Sequence, residues 1–495
     1  MNKYLKKTIE YAAGNLFNKI LLVILLPIFT HYLVPAEYAV YTNLMIFFAL
    51  ASMIVLIGLR QALFSHFYEV KTEAYRFSLI SSVYLILTVT GIIFSILMIV
   101  FRSELSSLLL RDQSYSHLFI PLAIILFFNT IFSISTGFLN IMEKSRSYAI
   151  ISTLHNLIAL ILIIIFVWQN KFSLELYFTF LASGTFVAAL ISFYKIIRVM
   201  HNYKLENADK KYFSIAIITS MMRFGIVMIP GTIAMLILQS SDRYMLTYLS
   251  PNTLHDVGIY SAGYRIGMIM HFLVSLVSLV YLPAAMKRSK SKRAKEINRN
   301  MFKYYLIFGS IFGALIISYS QEIFHFIIDV EYVMAYQIVF AGVISAFLYG
   351  VFHIVNVYYY AHQKAGIITL AVVVGSLLNI GLNFVLIPKY GFFGAGIASV
   401  FAYFVILMIN YFIAVWTYKL KYPLWLLFAG LALLALASVI NFLVAFSLTV
   451  LFIKTTFYLI LLLVLYQTLK NNKELHKIMS LIRERKSEKA IQSPK

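Results

Sequence analysis

The sequence contains no cysteine, and only 12% of its 495 residues carry a charge. The absence of cysteine excludes disulfides, thiolate metal sites, cysteine nucleophiles and c-type haem attachment. A soluble domain has about a quarter charged residues, so the low charged fraction argues against a chain of soluble domains. The nine prolines and 21 glycines are too few for collagen or for a low-complexity chain.

Catalytic motifs are also missing from the sequence. It has no phosphate-binding glycine loop, no metal-binding spacing such as HExxH, and no serine–histidine–aspartate arrangement that soluble loops could assemble. The apolar runs described below predict membrane spans, and the loops between them on the outer side are at most about fifteen residues long. Loops of this length argue against an external glycosyltransferase, polymerase or ligase domain. We therefore predict that the chain is not an enzyme, with no catalytic residue, metal site or cofactor.

Apolar residues dominate what is present. Hydrophobic residues make up 61% of the chain, and the mean hydropathy is +0.86. Runs of about 20 apolar residues are long enough to span a bilayer as helices. The runs predict fourteen spans: 14–33, 38–58, 78–101, 118–140, 148–168, 174–197, 216–241, 257–283, 302–321, 333–360, 366–387, 392–417, 423–446 and 450–468. The expected fold is an all-α integral membrane protein whose first helix is retained and not cleaved as a signal peptide.

The formal charge of +22 has an explanation in membrane topology that needs no nucleic acid. Lysine and arginine collect in the cytoplasmic loops of membrane proteins. If the N-terminus lies inside and the spans alternate, 32 of the 41 basic residues fall inside, six fall outside and three lie within spans. This bias predicts cytoplasmic N- and C-termini, with the bilayer as the main partner.

The two halves of the chain resemble each other at an offset near 219 residues. The segment Ala36–Tyr41 corresponds to His255–Tyr260, and Lys144–Tyr148 corresponds to His362–Gly366. Six spans separate the paired segments, so the repeats have the same orientation, as in two-lobe transporters. The predicted organisation is an N-lobe (1–200), a cytoplasmic linker (201–215), a C-lobe (216–418), two additional helices (419–468) and a basic cytoplasmic tail (469–495).

Several short segments carry a family resemblance over residues 10–418. They are Pro27–Thr30, Leu33–Tyr38, Gly58-Leu59 with Ala62, Phe67–Glu69, Ser241–Arg243, Val257–Tyr260 with Ala262, Asn379, Asn383, Ile387–Gly391 and Gly394–Ala398. Together they resemble the bacterial O-antigen and capsule-unit (Wzx-like) polysaccharide flippases of the multidrug/oligosaccharidyl-lipid/polysaccharide exporter superfamily, which have MATE-like lobes. Members of that family often carry arginine where His31 and His66 stand here.

The resemblance implies a flippase in the bacterial cytoplasmic membrane. Its cargo would be an undecaprenyl-diphosphate-linked oligosaccharide, moved from the inner to the outer leaflet by alternating access. It leaves open whether the glycan feeds O-antigen lipopolysaccharide, capsule or another polymer, and whether the chain meets the glycan polymerase and its chain-length machinery. Proton and sodium coupling are both left open.

Basic residues within spans are the candidate ligands for a diphosphate. Charges inside a bilayer are costly and usually face a cavity or a partner, and no Asp or Glu lies in the middle of a predicted span. The charges within the predicted spans are therefore all positive, which favours an anionic cargo. Arg265 is the first candidate because it lies about 12 Å into its helix, with a structural bridge to Asp242 as the alternative. Lys19 and Arg223 either bind phosphate or extend to the inner membrane surface. Arg60 either contacts the diphosphate as it enters or, as a cytoplasmic positive charge, fixes the membrane orientation of its helix.

Two further pairs have a functional and a structural interpretation. Tyr260 and Tyr264 share a helical face and either contact sugar or belong to the interfacial tyrosine belt. Asp242 and Arg243 are either a gate pair or solvated neighbours, since adjacent helical residues do not face each other.

Histidines are the candidates for proton coupling. His271 and His353 lie within predicted spans, where a histidine can titrate near neutral pH. Each is otherwise a packed, hydrogen-bonded residue, so the sequence offers no strong coupling site.

Three other functions fit parts of this pattern. A flippase for the peptidoglycan precursor lipid would use the same physics. A multidrug/cation antiporter of the same superfamily would need carboxylates within its spans. A membrane scaffold for glycan-assembly enzymes would transport nothing.

Overall fold

The computed structural model describes residues 24–56, 58–69, 72–142, 144–203, 212–281, 285 and 294–470. Within these ranges the regular structure is helical and contains no β-strand, so the predicted all-α class is confirmed. Lys19, predicted to bind phosphate, and the predicted tail beyond residue 470 lie outside the described residues.

We number the helices α1 to α18 in chain order, starting with α1 at 24–32. Those of the first half are α2 Pro35–Leu56, α3 Leu59–Glu69, α4 Glu73–Val100, α5 Arg102–Leu110, α6 Phe119–Ile141, α7 Ser145–Trp168 and α8 Leu174–His201. Those that follow are α9 Ile215–Leu249, α10 Thr253–Gly267, α11 His271–Leu276, α12 Ala294–Ser318, α13 Ser320–Phe326, α14 Val339–Val355, α15 Val357–Ala361, α16 Ala365–Tyr418, α17 Leu424–Leu443 and α18 Leu448–Lys470. Short 3₁₀ segments cover Ser114–Leu118, Met268–Met270 and Val330–Ile338, and a π-helical turn covers Val277–Tyr281.

The chain is a multi-pass membrane protein. Ten helical segments of the described residues are long and apolar enough to span a bilayer. Helix α9 has 35 residues, and its length of about 52 Å also exceeds the roughly 30 Å hydrocarbon core. The predicted number of fourteen spans is not confirmed, since the first span begins outside the described residues. The span predicted at 257–283 corresponds to the candidate span Thr253–Ser275. Within it α10 ends at Gly267, and a 3₁₀ segment, α11 and a π-helical turn continue the helix to Tyr281.

Helix α16 is a hairpin of two spans. Gly391 interrupts it with φ 54° and ψ −136°, a conformation that glycine adopts without a Cβ penalty. Asn383 and Ser399 each lie eight residues from Gly391, and in a straight helix they would be about 24 Å apart. Both instead donate hydrogen bonds to Asp242, at 2.7 and 2.5 Å. The chain therefore doubles back at Gly391, as the predicted spans 366–387 and 392–417 require.

The order of helices in the first half recurs in the second. The first residues of corresponding helices are separated by similar numbers of residues: 221 for α4 and α12, 218 for α5 and α13, 220 for α6 and α14, and 220 for α7 and α16. A 3₁₀ segment precedes both α6 and α14. These offsets agree with the predicted repeat near 219, and they extend it from sequence fragments to helix boundaries. The predicted boundaries of the two lobes stay a prediction.

The two halves meet closely at the end of the bundle that carries Pro35, called here the Pro35 end. Helices α2 and α10 pack against each other there, and a Cβ added to Gly258 would lie 2.0 Å from the Pro35 carbonyl oxygen. The Tyr332 hydroxyl also donates a hydrogen bond to the Leu33 carbonyl at 2.7 Å. Gly258 thus allows a backbone contact that closes this end.

The opposite end, called here the Gly58 end, has a second backbone contact between the halves. Gly58 has φ +66°, and a Cβ added to it would lie 2.6 Å from the main chain of Gly225. Nearby, His66 Nε2 lies 2.9 Å from the Ser220 hydroxyl. The halves therefore touch at both ends of the bundle.

The chain forms two compact units, Met1–Ala437 and Ser438–Lys495. The first unit holds both halves of the repeat, and large buried aromatic side chains such as Phe29, Tyr41 and Phe347 fill its core. The second unit contains the end of α17 and all of α18.

Replacing Gly258 with alanine is expected to open the Pro35 end. The three atoms nearest to the new Cβ belong to the main chain of Pro35, so relief requires movement of α2 away from α10. Such overpacking costs about 1–3 kcal/mol. Because the chain has no cysteine, Met45→Cys can serve as a single label inside the molecule. Its rate of reaction with a water-soluble maleimide should rise when Gly258→Ala is added.

Gly381→Ala is the matched control for this experiment. Gly381 lies within α16, and a Cβ there meets nothing within 4 Å. Equal labelling rates in the Gly258→Ala and Gly381→Ala backgrounds would show that this contact does not hold the end closed.

Candidate functional site: a cationic cavity between the two halves

Two adjoining pockets lie inside the bundle between the halves. The Arg265 pocket has a volume of 410 Å³ and is lined by residues of α2, α9, α10, α11 and α16. The Asn129 pocket has a volume of 530 Å³ and is lined mainly by α2, α6, α7 and α9. Ala49, Leu236 and Gln239 line both pockets, so the two form one continuous cavity.

Arg265 belongs to the second half but contacts aromatic rings of the first. Its guanidinium lies 5.4 Å from the ring centroids of both Tyr38 and Tyr41 on α2. Such cation–π contacts are worth about 0.5–2 kcal/mol, depending on how far the cation is desolvated. The Nη1 atom is buried and has no hydrogen-bond partner. Arg265 therefore lines the pocket with unused donor capacity, and it connects the two halves.

An aromatic cluster in the first half holds the two tyrosines that receive Arg265. Phe29 of α1 lies 4.7 Å from the Tyr41 ring and 5.0 Å from the Tyr177 ring, and Tyr177 of α8 lies 5.1 Å from Tyr41. These separations are typical of favourable aromatic pairs. The rings on α2 are thereby fixed by α1 and α8, so they present a rigid surface to Arg265.

Asp242 and Arg243 point to different places, as neighbouring helical residues do. Arg243 lines the Arg265 pocket, donates to the Gln239 carbonyl at 3.0 Å, and lies 5.2 Å from the ring of Tyr264. Asp242 is only 1% exposed and faces the interior of the second half. The predicted gate pair is therefore not formed, and Arg243 joins Arg265 as a second cation in the pocket.

Asp242 lies in a network of uncharged polar groups. Its carboxylate accepts hydrogen bonds from the Tyr260 hydroxyl at 2.6 Å, from Asn383 and from Ser399. Asn379 continues the network, accepting from Asn383 at 3.2 Å. Within the described residues, no Lys, Arg or His forms a salt bridge with this carboxylate. The alternative of an Arg265–Asp242 bridge is therefore wrong, and Asp242 is a buried carboxylate without a countercharge.

The remaining predicted phosphate ligands are dispersed. Arg60 is exposed at the Gly58 end, lines the Asn129 pocket and donates to the Ser133 hydroxyl at 3.2 Å. Arg223 is exposed and lines neither pocket. The structure thus brings Arg60 to one pocket and Arg265 to the other, and it separates Arg223 from both.

The predicted sugar ligands differ from each other. Tyr260 is fully buried beneath Asp242, whereas Tyr264 lines the Arg265 pocket while remaining 5% exposed. Of the predicted coupling histidines, His271 also lines this pocket. His353 lines neither pocket and packs with its ring 4.4 Å from that of Tyr349.

The lining of both pockets contains arginine but no carboxylate. Arg60, Arg243 and Arg265 contribute to it, and no Asp or Glu does within the described part of the chain. Nor do the described residues contain a group of three His, Cys, Asp or Glu side chains suited to a metal ion. The arginines of the lining can therefore receive an anion.

Sequence reasoning missed a set of uncharged polar residues on α6 and α7. Asn129, Ser133 and Thr136 line the Asn129 pocket from α6, and Tyr148, Ser152 and His155 line it from α7. Both triplets have spacings of four and three residues, which place them on one helical face. This spacing is the feature of the sequence that could have identified these polar residues as a pocket lining.

Solved structures with similar folds are transporters. The lipid II flippase MurJ, in an inward closed conformation, has a TM-score of 0.72 at 16% identity, with 94% of this chain and 100% of that chain covered. An inward-facing multidrug resistance MATE transporter of the MOP superfamily has a TM-score of 0.58 at 14% identity, with coverage of 81% and 96%. These similarities confirm the two-lobe fold.

Sequence comparisons identify one relative and the family. An uncharacterized membrane protein of Methanocaldococcus jannaschii, MJ1068, is 25% identical over 294 residues, which cover 57% of this chain and 55% of that protein. The chain thus matches about half of this relative's length. The model of the polysaccharide biosynthesis protein family matches residues 4–289, more than half of the chain. The chain therefore belongs to the polysaccharide biosynthesis protein family.

Proposed function

We propose that the chain is a flippase that moves a lipid-linked oligosaccharide across the bilayer by alternating access. The observation that carries this proposal is the pair of adjoining pockets between two repeated halves, which, within the described residues, are lined by Arg60, Arg243 and Arg265 and by no carboxylate. A buried cation without a countercharge is costly, so an anionic head group would lower the energy of the occupied cavity. The family supports polysaccharide assembly as the setting.

The diphosphate of the cargo would bind in the Arg265 pocket. A guanidinium can donate two parallel hydrogen bonds to phosphate, and the buried Nη1 atom of Arg265 has no hydrogen-bond partner in the protein. Arg243 reaches the same pocket. The polyprenyl tail, undecaprenyl by the family resemblance, would stay in the surrounding lipid.

Binding of phosphate at Arg265 would be coupled to movement of the two halves. In the structure Arg265 of α10 rests on Tyr38 and Tyr41 of α2, beside the backbone contact at the Pro35 end. A phosphate that draws the guanidinium away would weaken this link between the halves. The Pro35 end would then open, and the head group would leave on that side.

The direction of transport follows from the distribution of basic residues. With cytoplasmic termini, the Gly58 end faces the cytoplasm and the Pro35 end faces outward. Cargo would enter past Arg60 and leave past Arg265. In a bacterial cytoplasmic membrane this delivers the glycan to the outer leaflet, for O-antigen, capsule or another polymer, where the polymerase and its chain-length machinery would receive it.

Asp242 is the candidate for ion coupling. Its buried carboxylate has three hydrogen-bond donors but no cation, and amide and hydroxyl oxygens of Asn379, Asn383 and Ser399 lie around it. Oxygen ligands of this kind suit a hard monovalent cation, and a proton is the other ion that a carboxylate binds. Either would neutralise the charge and alter the packing of α9 on α16.

The similarity to a lipid II flippase favours one alternative cargo. A peptidoglycan-precursor lipid also carries a diphosphate, so it would use the same arginines. A cation antiporter is disfavoured because no carboxylate lines either pocket within the described residues. A scaffold without transport would not need cationic pockets between its halves.

Arg265→Ala should lower the rate of flipping of a fluorescent polyprenyl-diphosphate oligosaccharide in proteoliposomes by about 10- to 100-fold, the value of a charged hydrogen bond to phosphate. Arg265→Lys should retain part of the rate, because it keeps the charge but loses the bidentate geometry. Unchanged flipping in the alanine variant would remove Arg265 from the mechanism.

Arg111→Ala is the matched control for that measurement. Arg111 also lies over a tyrosine ring, 5.5 Å from the centroid of Tyr248, but it is exposed and lines neither pocket. The Arg111→Ala variant should flip the lipid at the rate of the unsubstituted protein. An equal loss in Arg111→Ala and Arg265→Ala would mean that the assay reports general damage.

Asp242→Asn should abolish the response of flipping to an imposed sodium or proton gradient while leaving equilibrium binding of the lipid intact. The amide removes the charge that a coupling ion would neutralise but keeps the side-chain volume. Asp329→Asn, a partly exposed carboxylate at the Pro35 end that lines neither pocket, serves as the control. A gradient response that survives in Asp242→Asn would exclude this site from coupling.

A further inference from the structure

The Asn129 pocket differs chemically from the Arg265 pocket that it adjoins. Its lining on α6 and α7 consists mainly of uncharged polar side chains: Asn129, Ser133, Thr136, Ser152, His155 and Asn156. Polar groups within membrane-spanning segments are expensive unless they meet a partner or water. Polar side chains clustered on one side of the cavity would be stabilised by a ligand with many hydrogen-bonding groups.

The hydroxyls of this pocket are oriented by their own helices. Ser152 donates to the Ala149 carbonyl at 3.1 Å, and Thr136 donates to the Phe132 carbonyl at 2.8 Å. A hydroxyl that donates in this way keeps lone pairs that can accept from a ligand. The pocket therefore presents acceptors at fixed positions.

His155 adds another acceptor. Its Nε2 atom lies 2.9 Å from the Thr185 hydroxyl, and that hydroxyl donates its single hydrogen to the Leu181 carbonyl at 2.6 Å. Nε2 must therefore carry the ring hydrogen, and in the neutral ring Nδ1 keeps its lone pair. Gly184 supports this position, because a Cβ there would lie 2.4 Å from the His155 carbonyl oxygen. The close contact fixes α7 against α8.

Asn129 supplies an amide at the centre of the pocket lining. Its Nδ2 atom donates to the Ser52 hydroxyl at 3.4 Å, a long contact, and its Oδ1 atom accepts no hydrogen bond within the described residues. The Phe132 ring also lines the pocket, with its centroid 5.1 Å from that of His155. The pocket thus combines hydrogen-bonding groups with a flat apolar surface.

We propose that the Asn129 pocket binds the uncharged sugar rings of the head group, while the Arg265 pocket binds its diphosphate. A sugar ring has hydroxyls around its rim and an apolar face of C–H groups, which matches this lining. The volume of 530 Å³ lies within the range of small-molecule sites. The single arginine in this lining, Arg60, is exposed and already donates to Ser133. This inference rests on the proposed flippase function.

Binding to the purified protein in nanodiscs tests the division between the pockets. Three probes are compared: a polyprenyl diphosphate without sugar, one with a neutral N-acetylhexosamine disaccharide, and one with a uronic-acid disaccharide. Asn129→Leu should weaken binding of the neutral glycolipid about three- to tenfold, the value of a neutral hydrogen bond. Binding of the sugar-free lipid should not change, which also shows that the variant is folded.

A pair of serine variants provides a matched control. Ser152→Ala removes a pocket hydroxyl, whereas Ser183→Ala removes a hydroxyl that donates to its own helix at 2.9 Å on an exposed face of α8. Only Ser152→Ala should weaken binding of the neutral glycolipid. Equal effects of both variants, or a loss for the sugar-free lipid with Asn129→Leu, would overturn the sugar site.

The outcomes separate this inference from the proposed function. If the unsubstituted protein binds none of the three diphosphate lipids, the flippase proposal fails and the sugar site fails with it. If it binds them and the pocket variants bind the neutral glycolipid equally well, the sugar site alone is wrong. Tighter binding of the uronic-acid lipid than of the neutral one would overturn the assignment to uncharged sugars.

Discussion

The placement of Arg265 is the constraint on which the rest of the cavity depends. A guanidinium at membrane depth needs compensation, and here the faces of Tyr38 and Tyr41 supply it in place of a carboxylate. Because aromatic faces attract a cation without neutralising it, the positive charge remains available to an anion. The same contact joins the two halves of the repeat. One side chain therefore combines a binding group with a structural link between the parts that must separate.

The chemistry of the cavity changes along its length. Cations and apolar residues surround the Arg265 pocket, while amides and hydroxyls line the Asn129 pocket. The buried carboxylate of Asp242 lies outside both linings and faces the interior of the second half. Repeated halves with the same helix order thus have different linings: the second half supplies Arg243 and Arg265, and the first half supplies most of the uncharged hydrogen-bonding groups together with Arg60. Such a division suits a cargo whose head group has an ionic part and a neutral part.

Much of the fold was predictable from the sequence because membrane helices follow from apolar runs, and the repeat offset reappears in the helix boundaries. The placement of Arg265 against a cavity was also predictable. Its partners were not, since Tyr38 lies more than 200 residues away and only tertiary packing brings the two together. Similarly, the sequence placed Asp242 beside Arg243 but could not show that a hairpin at Gly391 would surround the carboxylate. The change of helix type after Gly267 was missed because hydropathy does not report the hydrogen-bond pattern of a helix.

The hairpin of α16 has a consequence for how this protein can vary in evolution. Asn383 and Ser399 reach one carboxylate from opposite limbs, each eight residues from Gly391. Inserting or deleting a single residue in either limb would rotate one of them by about 100° around its helix and remove it from the network. The intervening segment should therefore tolerate changes of residue type while its length stays constant across relatives that keep the buried carboxylate.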